Sequence, residues 1–185
     1  SGIFQIGSSL TFVTWGLAGN SRAMRTAFEI GETVLASGVI VQIMKRATGR
    51  ESPNRHKRND HEWHSYPGEK KYRENIRDYD AMPSGHISSA FAVFRVIELN
   101  YPEQKWIGYV GYPMMGVMTL ACVGTNIHWW SDFPIAFALG NSFAKIVHRR
   151  YSKDDEKKEA SLWSPDLGVG QSPDGTTLLT GYWQF

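Results

Sequence analysis

The chain has 185 residues, enough for one domain with a full hydrophobic core and too few for two. Its net charge is +2, and its charged residues, 21% of the total, are mixed in sign, which excludes the continuous basic face of a nucleic-acid-binding protein. The single cysteine, Cys122, excludes an internal disulfide.

Apolar residues at helical spacing predict two helices in the first quarter of the chain. Residues 8–19 predict a short helix, and residues 21–46 predict one long helix. Glu29 and Glu32 interrupt the apolar face of the long helix. We expect them on a solvated side, since carboxylates embedded in lipid would be costly.

Residues 54–80 are rich in charged side chains and predict an inserted loop that contains at most a short helix. His61 and His64 have helical spacing and would suit a metal if His56 or an acid supplied a third ligand. We favour solvated loop histidines and predict no metal site. The loop arginines that could contact an anion are Arg55, Arg58, Arg73 and Arg77.

The second half of the chain predicts further helices. One covers residues 84–99, and residues 103–124 predict a helix pair or a kinked helix, because Pro113 removes a backbone hydrogen bond. A last helix is predicted from about Asp132 to about His148. Together these elements predict an all-α fold, a helical bundle of about five to six helices.

The composition changes near the C-terminus. Residues 152–185 are first charged and then rich in Gly, Pro, Ser and Thr, which predicts a polar extended tail. The alternation from Leu179 to Phe185 also fits a strand. We therefore assign residues 1–151 to a helical domain that includes the 54–80 insertion, and residues 152–185 to the tail.

The residues Pro83-Ser84-Gly85-His86 open an apolar run, at the point where a helix would begin. The unpaired N–H groups and the dipole of a helix N-terminus favour an anion such as phosphate. Ser84 suits the N-cap, Gly85 lets the backbone come close, and His86 can exchange a proton near neutral pH. The alternative is a plain N-cap followed by an incidental histidine.

His128 precedes Asp132 by four residues, in a second polar cluster. This spacing allows the carboxylate to accept from one ring nitrogen and leave the other free as a nucleophile. Along the chain, the order is Lys45, then Pro-Ser-Gly-His, then His-x-x-x-Asp. This order resembles that of the motifs in the type 2 phosphatidic acid phosphatase / vanadium haloperoxidase-like superfamily. The resemblance covers about residues 20–148.

Two motifs of this chain depart from those of that superfamily. Its first motif has an arginine where this chain has Ser52, and its third motif has Ser-Arg where this chain has Ala121-Cys122. Both arginines that clamp phosphate in the superfamily are therefore absent. Arg50, two residues from position 52, is the preferred local replacement.

The resemblance implies that His128 attacks phosphorus, that Asp132 orients it, and that His86 protonates the leaving oxygen and then activates water. The residues expected to hold the phosphate oxygens are Lys45, Arg50, Ser84 and Gly85. The expected activity is that of an acid phosphatase or lipid phosphate phosphatase-like hydrolase, which needs no metal or other cofactor. Its partner would be a phosphate-containing small molecule or lipid headgroup, with no nucleic acid.

Two other functions stay open. The missing arginines favour a catalytically weakened, anion-binding member of the superfamily, and a vanadate-dependent peroxidase comes third because vanadate would depend more on the missing clamp. Residues 107–124 carry no charge and approach the length of a membrane span, but the mean hydropathy of −0.35 is that of a soluble protein. We expect a soluble domain of the periplasm or cell envelope, with membrane association as the alternative.

Overall fold

A computed structural model describes residues 2–55, 63–163, 166–171 and 177–182. In these ranges the chain forms six α-helices: α1 (Gly2–Leu17), α2 (Ser21–Thr48), α3 (Glu69–Glu74), α4 (Gly85–Asn100), α5 (Trp106–Gly124) and α6 (Phe133–Trp163). Short 3-10 helices cover Ile76–Asp78 and Trp130–Asp132, and strands β1 (Asp166–Gln171) and β2 (Thr177–Tyr182) pair antiparallel. The predicted all-α fold is confirmed. The chain divides into two compact units, one ending at His148 and the other beginning at Arg149.

Helix α4 lies at the centre of the first unit. Its buried Val93 and Val96 pack with Ile30 of α2 and Ala144 of α6. On another side, its Phe94 approaches α5 so closely that a Cβ atom at Gly111 would lie 2.0 Å from the Phe94 ring. Helix α4 is therefore held by neighbours on several helices.

The end of α2 is set by Gly49, whose φ of 54° lies in the left-handed region that favours glycine. The Gly49 N–H donates to the Lys45 carbonyl, which closes the last turn. A Cβ atom at Gly49 would lie 1.8 Å from the carbonyl oxygen of His64, so no larger residue fits without a shift of the backbone. This tight turn places Lys45 in the last turn of α2 and directs the chain toward Arg50.

Several predicted boundaries need correction. Helix α1 already begins at Gly2, and α5 begins at Trp106 and not near residue 103. Of the two alternatives for that region, the structure has one helix with Pro113 inside it and not a helix pair. Helix α6 continues to Trp163, so residues 152–163 are helical and not extended as predicted, because their lysines, glutamates and alanine are good helix formers. Beyond α6 the tail is extended in the two strands, while Trp183 and Phe185 lie outside the described residues, as do His56, Arg58 and His61.

The expectation of a solvated Glu29 is wrong. Its side chain is fully buried, and its carboxylate accepts from Arg25 Nε at 2.6 Å and from Asn100 Nδ2 at 2.7 Å. The Nδ1 atom of His148 lies 3.0 Å from the same carboxylate. These partners come from α2, α4 and α6, so the glutamate joins three helices. Glu32 is half-buried.

Candidate active site

His128 lies in the connection between α5 and α6 and is 4% exposed. Its Nδ1 atom is 2.7 Å from the carbonyl oxygen of Ala81 and 3.4 Å from Asp132 Oδ2. Because a carbonyl can only accept, the neutral imidazole carries its proton on Nδ1 and donates it to Ala81. The other ring nitrogen, Nε2, then has the lone pair that a nucleophile needs.

Asp132 is fully buried at the end of the Trp130–Asp132 3-10 helix. Its Oδ2 atom accepts from the Trp129 backbone N–H at 2.8 Å, and its Oδ1 atom accepts from Arg50 Nη1 at 2.5 Å. The carboxylate is therefore held by a backbone amide and a guanidinium, with the His128 ring beside it.

His86 lies in the first turn of α4, and its ring centroid is 6.3 Å from that of His128. Rings at this separation are close enough for one phosphate to reach both. His86 is exposed, yet the partial burial of its ring, followed by the charge of nearby His128, holds its pKa below the ordinary value of 6.5. Near neutral pH the ring is therefore mostly uncharged.

Ser84 is the N-cap of α4, as predicted, and its Oγ atom accepts from the Ile87 N–H at 3.5 Å. Its own N–H donates to the Asp132 carbonyl oxygen at 3.4 Å, which ties the start of α4 to the His128 connection. Gly85 then begins the helix, so its backbone is at the anion-favouring end of α4.

Lys45 is 7% exposed, and its Nζ atom is 3.2 Å from Asp80 Oδ2. A Cβ atom at Gly85 would lie 3.9 Å from this Nζ atom, so the ammonium group faces the first turn of α4. A cavity of about 300 Å³ between α2 and α4 is lined by Lys45, Gly85 and His86. A cation, a helix N-terminus and a histidine thus border one space.

Arg50 is also buried, and its guanidinium contacts the segment that carries His128 and Asp132. Its Nη1 atom donates to Asp132 Oδ1 and, at 2.8 Å, to Ser131 Oγ. The rings of Trp63 and Trp129 lie 4.8 and 5.6 Å from its guanidinium carbon. The structure thus brings Arg50 to the candidate site and bonds it to the Asp132 carboxylate.

The two positions that lack the superfamily arginines are apolar or buried. Ser52 is 2% exposed, and its N–H donates to the Arg77 carbonyl. Cys122 packs against a cluster that contains Ile87 and Phe133. Neither position supplies a charge. In the described part of the chain, no group of three or more histidine, cysteine or acidic residues could hold a metal.

Ala81 is the site residue that the sequence did not reveal. It acts through its main-chain carbonyl, which every residue type carries, so no side-chain pattern could have indicated it. Its position just before Pro83-Ser84-Gly85-His86 is the one available signal.

A family model described as the PAP2 superfamily matches residues 26–156. The match covers most of the chain, and the chain therefore belongs to the PAP2 superfamily. Members of this superfamily are generally phosphatases and related hydrolases. No curated protein and no solved structure matches the chain.

Proposed function

We propose that the protein is a metal-independent phosphatase that hydrolyses a phosphomonoester or pyrophosphate through a phosphohistidine at His128. The observation that supports this most is the pairing of the two histidines, 6.3 Å apart between ring centroids, with the Nδ1–H of His128 donated to a carbonyl. One ring nitrogen is then free to attack. The other ring can handle the proton of the leaving group.

In the first step, Nε2 of His128 forms a bond to phosphorus in line with the leaving oxygen, whose bond to phosphorus breaks. Protonated His86 gives its proton to that oxygen. Asp132 stabilises the cationic His128 ring. In the second step, neutral His86 takes a proton from water, the water oxygen attacks phosphorus, and the phosphorus–nitrogen bond breaks. Inorganic phosphate leaves and both histidines return to their starting states.

The non-bridging oxygens of the phosphate would be held at the start of α4. Lys45 supplies a positive charge there, Ser84 supplies its hydroxyl, and Gly85 supplies its backbone N–H. Arg50 was expected as the fourth contact. Its guanidinium is bonded to Asp132 instead.

The test is hydrolysis of an aryl phosphate by the wild-type protein with and without a chelator. Activity that survives the chelator and is lost in His128→Ala by about a thousandfold or more supports the proposal, since removal of a nucleophile costs several orders of magnitude. The matched control is His64→Ala, a substitution in the exposed loop, which should keep full activity. Activity of His128→Ala within about tenfold of the wild type would exclude His128 as the nucleophile.

A weakened, anion-binding member of the superfamily is the second candidate. It is favoured by the uncharged surroundings of Cys122 and by the bonding of Arg50 to a carboxylate. This candidate predicts that vanadate or phosphate binds without turnover and that Lys45→Met removes the binding. It also predicts that Ala121→Ser with Cys122→Arg increases hydrolysis of the aryl phosphate.

We also propose that the protein works at a membrane of the cell envelope, where a lipid phosphate headgroup is one candidate substrate. Two helices, α2 and α5, are long and apolar enough to cross a membrane by length and composition. Both also carry large apolar side chains that are exposed: Phe28, Leu35, Val39, Ile43, Tyr109, Val117 and Leu120. Such faces favour lipid contact over solvent. Flotation of the full chain with phospholipid vesicles would support association, and full recovery in the soluble fraction would exclude it.

A further inference from the structure

Arg50 contacts both groups that orient His128. Its guanidinium donates to Asp132, and its backbone carbonyl accepts from the Ala81 N–H at 2.9 Å. The Ala81 carbonyl in turn accepts from His128 Nδ1 at 2.7 Å. We propose that Arg50 is a positioning residue of this site, which acts on turnover through Asp132 and not as a ligand of the phosphate oxygens. The inference rests on the proposed phosphatase function.

The guanidinium is fixed in place from several directions. Its side chain is 5% exposed, and the side chain of Asp132 is fully buried. Trp63 and Trp129 lie against the guanidinium, and Ser131 Oγ accepts a second bond from the same Nη1 atom. Swinging toward a phosphate would break these contacts and leave a buried carboxylate without its cation, which is strongly unfavourable.

The main-chain contact is independent of the side chain. The backbone of Arg50 forms an isolated parallel bridge with Asp80, and this bridge holds Ala81 where its carbonyl accepts from His128 Nδ1. A substitution of the Arg50 side chain therefore leaves the Nδ1–H bond to Ala81 in place. It removes only the cation that holds Asp132, so the two contributions can be separated.

Lysine would not replace this arginine. A guanidinium is planar and stacks on aromatic rings while its N–H groups point in fixed directions, whereas an ammonium group on a flexible chain cannot keep the same arrangement. A phosphate contact, by contrast, depends mainly on charge, and lysine would preserve much of it. Arg50→Lys therefore distinguishes a positioning role from binding of the anion.

The deciding experiment is a double-mutant cycle with Arg50→Met, Asp132→Asn and the combined variant, measured as kcat, KM and the inhibition constant of vanadate. If Arg50 acts through Asp132, Arg50→Met lowers kcat by about 10- to 100-fold and changes KM and the vanadate constant by less than about threefold. In the Asp132→Asn background the same substitution has an effect below about twofold. Arg50→Lys gives a kcat close to that of Arg50→Met.

The opposite pattern would overturn the inference. If Arg50→Met raises the vanadate inhibition constant about tenfold or more, by the same factor in both backgrounds, Arg50 is a phosphate ligand. The matched control is Arg25→Met, which removes the arginine from the other buried carboxylate, Glu29, and should leave kcat unchanged.

A spectroscopic measurement keeps the inference separate from the proposed function. In ¹⁵N NMR of the His128 ring, the wild type should show the Nδ1–H tautomer. Arg50→Lys and Asp132→Asn should shift the His128 ring signals in the same direction, while Arg25→Met should not. If the wild type fails to hydrolyse any phosphate ester, the proposed function falls, yet these shifts still decide the role of Arg50. Unshifted His128 signals in Arg50→Lys would overturn it.

Discussion

Two fully buried carboxylates in this molecule have nearly the same partners. Asp132 is bonded to an arginine and a backbone N–H, with His128 Nδ1 at 3.4 Å, and Glu29 is bonded to an arginine and an amide N–H, with a histidine Nδ1 at 3.0 Å. Judged by these contacts alone, either could orient a catalytic histidine. The difference lies in the groups that surround the other ring nitrogen of each histidine.

His128 has a second histidine and the N-terminus of α4 within reach, and its hydrogen bond to the Ala81 carbonyl fixes the ring proton on Nδ1. At the Glu29 cluster the carboxylate instead joins α2 to Asn100 of α4 and His148 of α6. An arginine–carboxylate–histidine arrangement is therefore not a catalytic signature by itself. It becomes one where the far ring nitrogen faces groups that can bind an anion and transfer a proton.

The largest expected difference between the clusters is in turnover. Asp132→Asn should lower kcat for an aryl phosphate by about a thousandfold or more, because the amide cannot stabilise the cationic ring as the carboxylate does. Glu29→Gln should leave the kcat of the folded protein within about threefold of the wild type, since it touches no reacting group. Both rates should be normalised to the folded fraction. Equal losses in the two variants would remove the distinction between the clusters.

The second histidine provides the next test of the comparison. His86→Ala should lower the rate of phosphoenzyme formation from an alkyl phosphate by about 100-fold or more, because a poor leaving group needs a proton as its bond breaks. With p-nitrophenyl phosphate, whose leaving group is stable as an anion, the decrease in the rate of phosphoenzyme formation should be much smaller. Equal losses for both substrates would show that His86 is not the acid of the first step.

The pH dependence follows from the lowered pKa of His86. In the proposed mechanism protonated His86 is the acid of the first step, so the rate of phosphoenzyme formation from an alkyl phosphate should be highest at acid pH. It should fall as pH rises through a pKa below 6.5, by about tenfold per unit at the limit. Rapid-quench measurements on both sides of that pKa would show the decrease. A first step that accelerates as pH rises through this range would contradict the assignment.

Local patterns predicted much of the fold and the residues of the site. Apolar spacing gave the main helices, and the Ser84 cap and the left-handed Gly49 reflect chemistry that a few neighbouring residues determine. The direction of the Arg50 side chain could not be predicted. It depends on Asp132, 82 positions away, and on the aromatic rings that pack against it.

The burial of Glu29 was missed for the same reason. Its partners Asn100 and His148 are 71 and 119 positions away, and helical periodicity shows only that a charge interrupts an apolar face. Whether such a charge meets water or a partner is decided by the packing of other helices. The carboxylate and histidine positions could be read from the sequence, but which carboxylate lies beside which histidine became clear only from tertiary contacts.

The smallest expected difference between the clusters is in stability. Glu29→Gln keeps the shape of the side chain but places an amide among donors, and should lower the free energy of unfolding by about 1–3 kcal/mol. Asp132→Asn should cost more, about 3–5 kcal/mol, because it leaves Arg50 buried without its charge partner. The side chain of Arg25 is 25% exposed and can gain water when Glu29 is replaced, whereas that of Arg50 is 5% exposed and cannot.

Chemical denaturation followed by circular dichroism would measure both losses. Glu32→Gln, on the same helix and half-buried, is the control and should change the free energy of unfolding by less than about 1 kcal/mol. A larger loss of unfolding free energy for Glu29→Gln than for Asp132→Asn would mean that the Glu29 cluster contributes more to stability than the Asp132 cluster does. The exposure of the arginine would then not be what sets the cost of breaking a buried pair in this protein.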